Sequence, residues 1–354
     1  MAAATSPSAA GRRPTVALDG RGADRGAEAI VPGALAAARE GIGLRVHGDP
    51  GELAELEGVA GIEVIAASET ISNDDEPVAA VRARPGASIV QAAADVAEGP
   101  AEALVSAGAT GATMTAALFA LRRSQGVRRP ALTVQLAVPG RDGPPTLLLD
   151  VGANSEARAG DLVQFAYLGA AFAEAVQAVE RPRVALLSIG EEAGKGTPQL
   201  VEAHERLAGA EGLNFIGNLE GRELLTGAAD VIITDGFTGN VVLKTIEGTA
   251  TAVASAVAAA ARSGPVAAAG GLLLRPALGG LRRRMDPDTT GGAVLLGLNG
   301  VAVVGHGSSG PRGVANAVRL AARTVEERAV ERTAELLSRV GATRGGLRRD
   351  RNAD

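Results

Sequence analysis

Short runs of consecutive apolar residues recur along the chain, and stretches with helical spacing separate them. The runs predict strands over 15–19, 43–47, 62–66, 102–106, 132–137, 146–151, 183–189, 213–217, 229–234 and 300–304. The stretches between predict helices over 26–40, 89–97, 112–125, 160–179, 197–208, 238–262 and 313–338. RVALLSI and DVIITD are apolar without alternation, as parallel strands covered on both faces are. Strands alternating with helices predict an α/β sandwich with right-handed crossovers. No internal repeat is visible. The Ala-dominated run TATAVASAVAAAA at 249–261 predicts a buried helix of a soluble protein rather than a membrane span.

One segment breaks the rhythm. Residues 263–290 set Leu272, Leu273, Leu274, Leu278 and Leu281 beside Arg275, Arg282, Arg283, Arg284 and Met285. An apolar face with a basic edge suits a membrane surface or an acidic protein partner. A hairpin docked on the core with a solvated Arg run accounts for the same residues. Residues 1–14 read as a loose tail without the pattern of a secretory signal, and 339–354 as a second tail. Residues 15–338 read as one large α/β catalytic domain, of one lobe or two.

Composition narrows the chemistry. The 354 residues carry a net charge of −5 and 2% aromatics, so neither a basic field nor a stacking platform for nucleic acid is present. Cysteine is absent, which removes disulfides, thiolate metal sites and a cysteine nucleophile. Three His at 47, 204 and 306 lie too far apart in sequence to suggest a metal centre, and no metal or cofactor is expected. Lys occurs twice, at 195 and 244, each time in a block rich in Gly, Asn or both. Lys is a compact point charge where Arg is a planar fork, so sparing use of it suggests a specific task.

Candidate chemistry follows predicted strands. Ser106-Ala-Gly108-Ala-Thr110-Gly111 joins a strand to a helix, and small residues there let N–H groups approach an anion. A tight βα turn explains it equally, and the P-loop pattern is missing. Asp150 and Asn154 end the strand TLLLD, where open α/β sheets bind ligands and where Asx turns also form. Glu191, Glu192 and Lys195 share one glycine-rich loop, in which Lys195 can hold a phosphate. Asp235, Gly239, Asn240 and Lys244 lead a buried strand into a long helix, with Asn218 and Glu220 ending the strand before. His306 lies between glycines, with Ser308 two residues on. His47 and His204 lack such settings and read as bystanders. No GxSxG or HExxH occurs, so nucleophile-elbow hydrolases and zincins have no support.

Together these blocks resemble the PlsX family of phosphate acyltransferases from about Thr15 to about Arg319. The most specific parts are LLLDVGAN, LVQFAYLG, RVALLSIGEEAGKG, NFIGNLEGRELLTGAADVIITDGFTGNVVLKTIEG and GGAVLLGLNGVAVVGHGSS, in that order. The resemblance implies a three-layer α/β/α fold similar to the isocitrate and isopropylmalate dehydrogenases, with a projecting segment. It implies acyl transfer from acyl carrier protein to inorganic phosphate, giving acyl phosphate for phospholipid synthesis. It also implies a cytoplasmic homodimer in peripheral contact with anionic membrane through residues 263–285. In that reading Lys195, Asp235, Asn240, Lys244 and His306 are catalytic. Ser106, Gly108, Thr110, Gly111, Asp150, Asn154, Glu191, Glu192, Asn218, Gly239 and Ser308 bind phosphate or substrate. Leu273, Leu274, Arg282, Arg283 and Arg284 meet membrane or carrier protein.

The chain departs from the family pattern in four places. The opening DAMGGD reads Asp19-Gly20-Arg21-Gly22-Ala23-Asp24, and SAGNTGA has Ala109 for its Asn. Ser188 stands where Asn usually precedes IGEE, and of a Ser pair only Ser88 survives, after Ala87. These departures leave open two alternatives to the acyltransferase. One is a non-catalytic relative that binds carrier protein or membrane. The other is a different enzyme on the related fold, a dehydrogenase or a short-chain phosphotransacetylase.

Overall fold

The computed structural model describes residues 13–141, 143–285 and 287–341, with backbone alone for 276–278, 280–285 and 287. The expected tails therefore lie almost wholly outside the described residues, as do the side chains of Arg282, Arg283 and Arg284.

Eleven strands form one sheet: β1 (Thr15–Asp19), β2 (Gly43–Gly48), β3 (Ile62–Ala66), β4 (Ala103–Ser106), β5 (Ala131–Leu136), β6 (Thr146–Leu149), β7 (Arg183–Ser188), β8 (Asn214–Glu220), β9 (Val231–Ile233), β10 (Ala293–Leu296) and β11 (Val301–Val304). Their order is β3-β2-β1-β4-β11-β10-β5-β6-β9-β7-β8. The first five are parallel to one another, and so are the last four. Antiparallel pairings at β11/β10, β10/β5 and β5/β6 join these halves, so the halves run in opposite senses.

The continuous apolar runs have the expected cause. In β1, Val16 and Leu18 enter one core while Ala17 enters the other; in β6, Leu147 and Leu149 part from Leu148 in the same way. Successive side chains of a strand point to opposite faces, so a strand covered on both needs apolar residues throughout. On the first face lie α1 (Ala27–Ala38), α5 (Ala159–Val176), α6 (Pro198–Ala208), α9 (Pro311–Glu326) and α10 (Ala329–Arg339). On the second lie α2 (Pro77–Ala83), α3 (Ser88–Glu98) and α4 (Thr110–Leu121). Helix–sheet–helix is the three-layer sandwich read from the sequence. α5 is buried on all sides except at Glu174, which explains why its sequence lacks a polar face.

Several elements differ from the sequence reading. β10 is an added strand, only four residues long and bounded by Gly292 and Gly297 in left-handed backbone. α2 is an added helix, with the Glu76 side chain capping it through Val78 and Ala79 N–H. The helix expected over 313–338 is two helices, because Arg328 takes a left-handed conformation (φ 51°) that stops the first.

The largest correction concerns α7 (Gly236–Ala260) and α8 (Pro265–Met285). Only the first turns of α7 are rooted: Gly236 and Gly239 are buried, and Val242, Leu243 and Ile246 pack on the second core. Beyond them the expected buried helix is exposed. None of its most apolar 18-residue window is buried, although its length and composition would suffice to cross a membrane. Alanine makes this possible, because each small side chain adds little apolar area to the surface. Residues 263–285 continue as α8 rather than a hairpin on the core, with Val266, Leu272, Leu273 and Leu274 exposed. α7 and α8 touch at Ala261 and Gly271, and the pair projects from the sheet.

A buried histidine sits inside the sandwich. His47 on β2 is 1% exposed, and its Nε2 lies 2.8 Å from Asp95, which also accepts Arg45 Nε at 2.6 Å. Burial holds the imidazole below its ordinary value, against the pull of Asp95. The folded chain therefore stays neutral there while the unfolded chain takes up a proton below pH ~6.5. Stability should fall as pH drops through that value, by up to about 1.4 kcal/mol per unit from this group. Urea midpoints between pH 7.5 and 5.5 should show a shallower slope for His47→Gln than for the parent chain. Equal slopes would contradict this assignment.

Candidate active site

Hydrogen bonds sort the candidate residues into two groups, one on each half of the sheet. The first lies where β1, β4 and β11 end. Asp19 is buried at the end of β1 and accepts the hydroxyls of Ser88 (2.6 Å) and Ser106 (2.7 Å) and the N–H of Arg21 (3.2 Å). Ser106 Oγ in turn accepts Gly108 N–H at 3.0 Å and lies 3.2 Å from the Thr113 hydroxyl. The β1–α1 loop presses on this turn: a Cβ on Gly22 would meet Gly108 N at 2.7 Å. It also reaches the loop after β11, where Asp24 N–H donates to the Gly307 carbonyl at 2.9 Å.

These bonds change the reading of the turn. The Ser106 proton goes to Asp19 and the Gly108 N–H goes to Ser106, so neither is free to meet an anion. The remaining donors begin α4. Its N-cap is Ala109, which supplies no side-chain cap, and the N–H groups of Thr110 and Gly111 find no partner among the described residues. The first turn of a helix leaves such donors unsatisfied and favours negative charge beside them.

His306 is exposed nearby. Its Nδ1 accepts the Ser308 N–H (3.3 Å) and lies 2.8 Å from the Ser308 hydroxyl. An amide N–H can only donate, so Nδ1 is the acceptor, and in the neutral ring the hydrogen then sits on Nε2. Ser308 thus orients His306 as a donor toward the outside.

The second group lies where β6, β7, β8 and β9 end. Asp150 is fully buried. It accepts the N–H groups of Leu132, Gly152, Ala153 and Asn154 and the Asn154 side-chain amide, all between 2.7 and 3.2 Å. Burial raises its carboxyl above the usual range, and the surrounding donors pull the other way. Asn154 spends the rest of its amide on the Pro130 carbonyl. Both residues were candidates for substrate; instead they hold the turn on which α7 begins, with Gly236 N–H donating to the Asn154 carbonyl at 2.8 Å. Gly239 is required there, since a Cβ would overlap the Asp150 carbonyl. Asp235 caps α7 through Thr238 N–H and hydroxyl, both at 2.8 Å. Asn240 is exposed over Gly152, and Lys244 pairs with Glu247 at 2.8 Å.

The loop after β7 belongs to this half. Ser188 donates to the Lys195 carbonyl at 3.0 Å and so ties the loop across. Asn218 donates to the Glu192 carbonyl at 2.8 Å, and its oxygen lies 2.9 Å from His204 Nδ1. His204 is therefore no bystander: it fixes the Asn218 amide that holds the loop. Glu191 faces Arg222 at 3.3 Å. Lys195 is exposed, its stem folds over Gly190, and its ammonium has no ion pair among the described residues. Asn218 thus reaches the Lys195 loop rather than Asn240. Leu273 and Leu274 stand apart on α8, exposed.

Asp19, Ser88 and Thr113 are the polar residues of this region absent from the sequence candidates. A signal existed: Asp19 ends its strand just before a glycine, as Asp150 and Asp235 nearly or fully do. No group of His, Asp or Glu suited to a metal ion occurs among the described residues.

The chain matches the family described as "Fatty acid synthesis protein" over residues 15–332. It is 45% identical over 319 residues to the phosphate acyltransferase of Heliobacterium modesticaldum, covering 88% of this chain and 94% of that one. The phosphate acyltransferase of Lactococcus lactis subsp. cremoris is 42% identical over 308 residues, covering 86% and 92%. Among solved structures, a phosphotransacetylase from Streptococcus pyogenes aligns over 89% of this chain and 95% of its own, with TM-score 0.58 and 19% identity. A branched-chain phosphotransacylase from Enterococcus faecalis aligns over 88% and 99%, with TM-score 0.56 and 16% identity. At such identities the structures speak for the fold alone. The sequence matches run almost end to end on both sides, and the chain belongs to the phosphate acyltransferase family.

Proposed function

We propose that this chain transfers the acyl group of acyl carrier protein to inorganic phosphate, releasing acyl phosphate and the free carrier thiol for phospholipid synthesis. Family membership over most of the chain carries the reading. The geometry of the free donors supports it.

A thioester is already activated, so the protein's task is alignment and charge stabilisation. A phosphate oxygen attacks the thioester carbonyl carbon, the tetrahedral oxyanion collapses, and the C–S bond breaks. Phosphate sits at the start of α4, on the N–H groups of Thr110 and Gly111. Lys195 follows β7, six strands away on the half that runs in the opposite sense, so it would neutralise that phosphate from a second copy of the chain in a homodimer. Glu191, Glu192 and Asn218 shape the Lys195 loop. His306, held by Ser308 with hydrogen on Nε2, donates to the oxyanion or to the leaving thiolate. Asn240 and Lys244 are further donors at the start of α7, and Asp235 holds that start. Ser106, Gly108, Asp150, Asn154 and Gly239 build the frame rather than touch substrate. No metal or cofactor enters.

The single sheet supports reading 15–338 as one catalytic unit of two lobes. The exposed apolar stretch of α7, with Val253 and Val257, supports a homodimer. Leu272, Leu273 and Leu274 on α8, followed in sequence by three arginines, support peripheral contact with an anionic membrane by a cytoplasmic protein. Arg282, Arg283 and Arg284 also suit the acidic surface of a carrier protein.

The chain has no cysteine, so a thiol reagent reads only the carrier's thiol. Thiol release from a long-chain acyl carrier protein should require phosphate. Lys195→Ala should raise the KM for phosphate about tenfold, as loss of one charge-assisted contact does, with little change in the KM for carrier. Release that ignores phosphate would contradict the proposal. Ala109→Asn adds the missing cap and should stabilise the chain by about 1 kcal/mol. The same change should shift phosphate affinity. An unchanged affinity would remove the α4 terminus from the site.

A further inference from the structure

We propose that Asp19 is a positioning residue for the phosphate-binding turn and acts through the hydroxyl of Ser106. The inference rests on the acyltransferase reading above and extends it to a residue that touches no substrate.

Asp19 is 2% exposed, and its oxygens accept from Ser88, Ser106 and the Arg21 N–H. A serine hydroxyl has one proton, and in both serines that proton points at Asp19. Three donors converge on one side chain, which accepts from all of them. With its proton so directed, Ser106 turns its lone pairs to the Gly108 N–H at 3.0 Å and the Thr113 hydroxyl at 3.2 Å. The single Thr113 proton is shared between Ser106 Oγ and the Ala109 carbonyl, which it meets at 3.1 Å. Asp19 thus sets the direction of the Ser106 hydroxyl and leaves its oxygen to hold the Gly108 N–H. The N–H groups of Thr110 and Gly111 then face outward as the turn's remaining donors. Gly22 packs closely on Gly108 beside these bonds.

An amide at position 19 reverses the polarity. It would donate to one of the serine oxygens and occupy the lone pair that now holds the turn. Two effects then oppose each other. Removing a carboxylate near an anion site relieves repulsion and favours phosphate. Misdirecting Ser106 loosens the turn and disfavours it. The bonds are direct and buried, so orientation dominates, and phosphate binding should weaken.

The test uses the full chain with inorganic phosphate and acyl carrier protein. Asp19→Asn and Ser106→Ala should each raise the KM for phosphate about tenfold while the KM for acyl carrier protein stays within about twofold. The double variant should be no worse than the poorer single, because both changes cut the same link. Calorimetric titration of inorganic phosphate, without acyl substrate, should show the same order of affinities. If Asp19→Asn does not fold, Ser106→Ala alone must show the split. An unchanged or lower KM for phosphate in these variants, or additive losses in the double variant, overturns the inference. A parent chain without phosphate-dependent thiol release overturns the acyltransferase reading instead, and the calorimetry still reports on Asp19.

Discussion

Two sets of parallel strands that run in opposite senses share one sheet only because β5 and β10 stand between them. Each of these two strands pairs antiparallel on both sides. The splice decides where functional groups can lie. Loops at the carboxyl ends of β1, β4 and β11 form one group, and those of β6, β7 and β9 form another. Leu132 of β5 ties the splice to the second group directly, since its N–H bonds the Asp150 carboxylate and its carbonyl accepts the Val151 N–H, both at 3.0 Å. Two-sided burial then makes the strands uniformly apolar, and the chemistry is confined to strand ends.

The polar residues at those ends do two kinds of work. Asp19, Asp150 and Asp235 each gather several donors and hold a turn. A buried carboxylate costs several kcal/mol unless donors surround it, which is why the buried Asp19 and Asp150 each accept from several donors. The groups left over among the described residues, on which the proposed reaction would draw, are two N–H groups at an uncapped helix start, the ammonium of Lys195 without an ion pair, and a histidine whose outer nitrogen can donate. Fixed donors of this kind act without reorganising when charge develops, which is the main need of phosphate attack on a thioester.

Much of this was legible in the sequence. Continuous apolar runs gave ten of the strands in close to their observed places, and the order of the glycine-rich blocks pointed to the family. Four residues between left-handed glycines carried too little pattern to mark β10. The left-handed Arg328 could not be read, because any residue but glycine argues against that conformation. α7 misled for a different reason: alanine fits both a packed core and an exposed helix, so its run does not reveal which. At the site, residue type identified Lys195 and His306 but not the division between framing and free groups. Ser106 and Asp150 look like ligands in sequence. Only the partners of their protons and lone pairs show that they are occupied, and those partners come from β1, α4, β5 and the loops beside them.

The account turns on the nature of the acyl product. Incubating the purified chain with a long-chain acyl carrier protein and phosphate in the presence of hydroxylamine tests it directly. Acyl phosphate is trapped as the hydroxamate, whereas simple thioester hydrolysis yields a free acid that is not. The account predicts hydroxamate that depends on phosphate and matches the free carrier in amount. Free acid in its place, or carrier bound without turnover at any chain length, would contradict it.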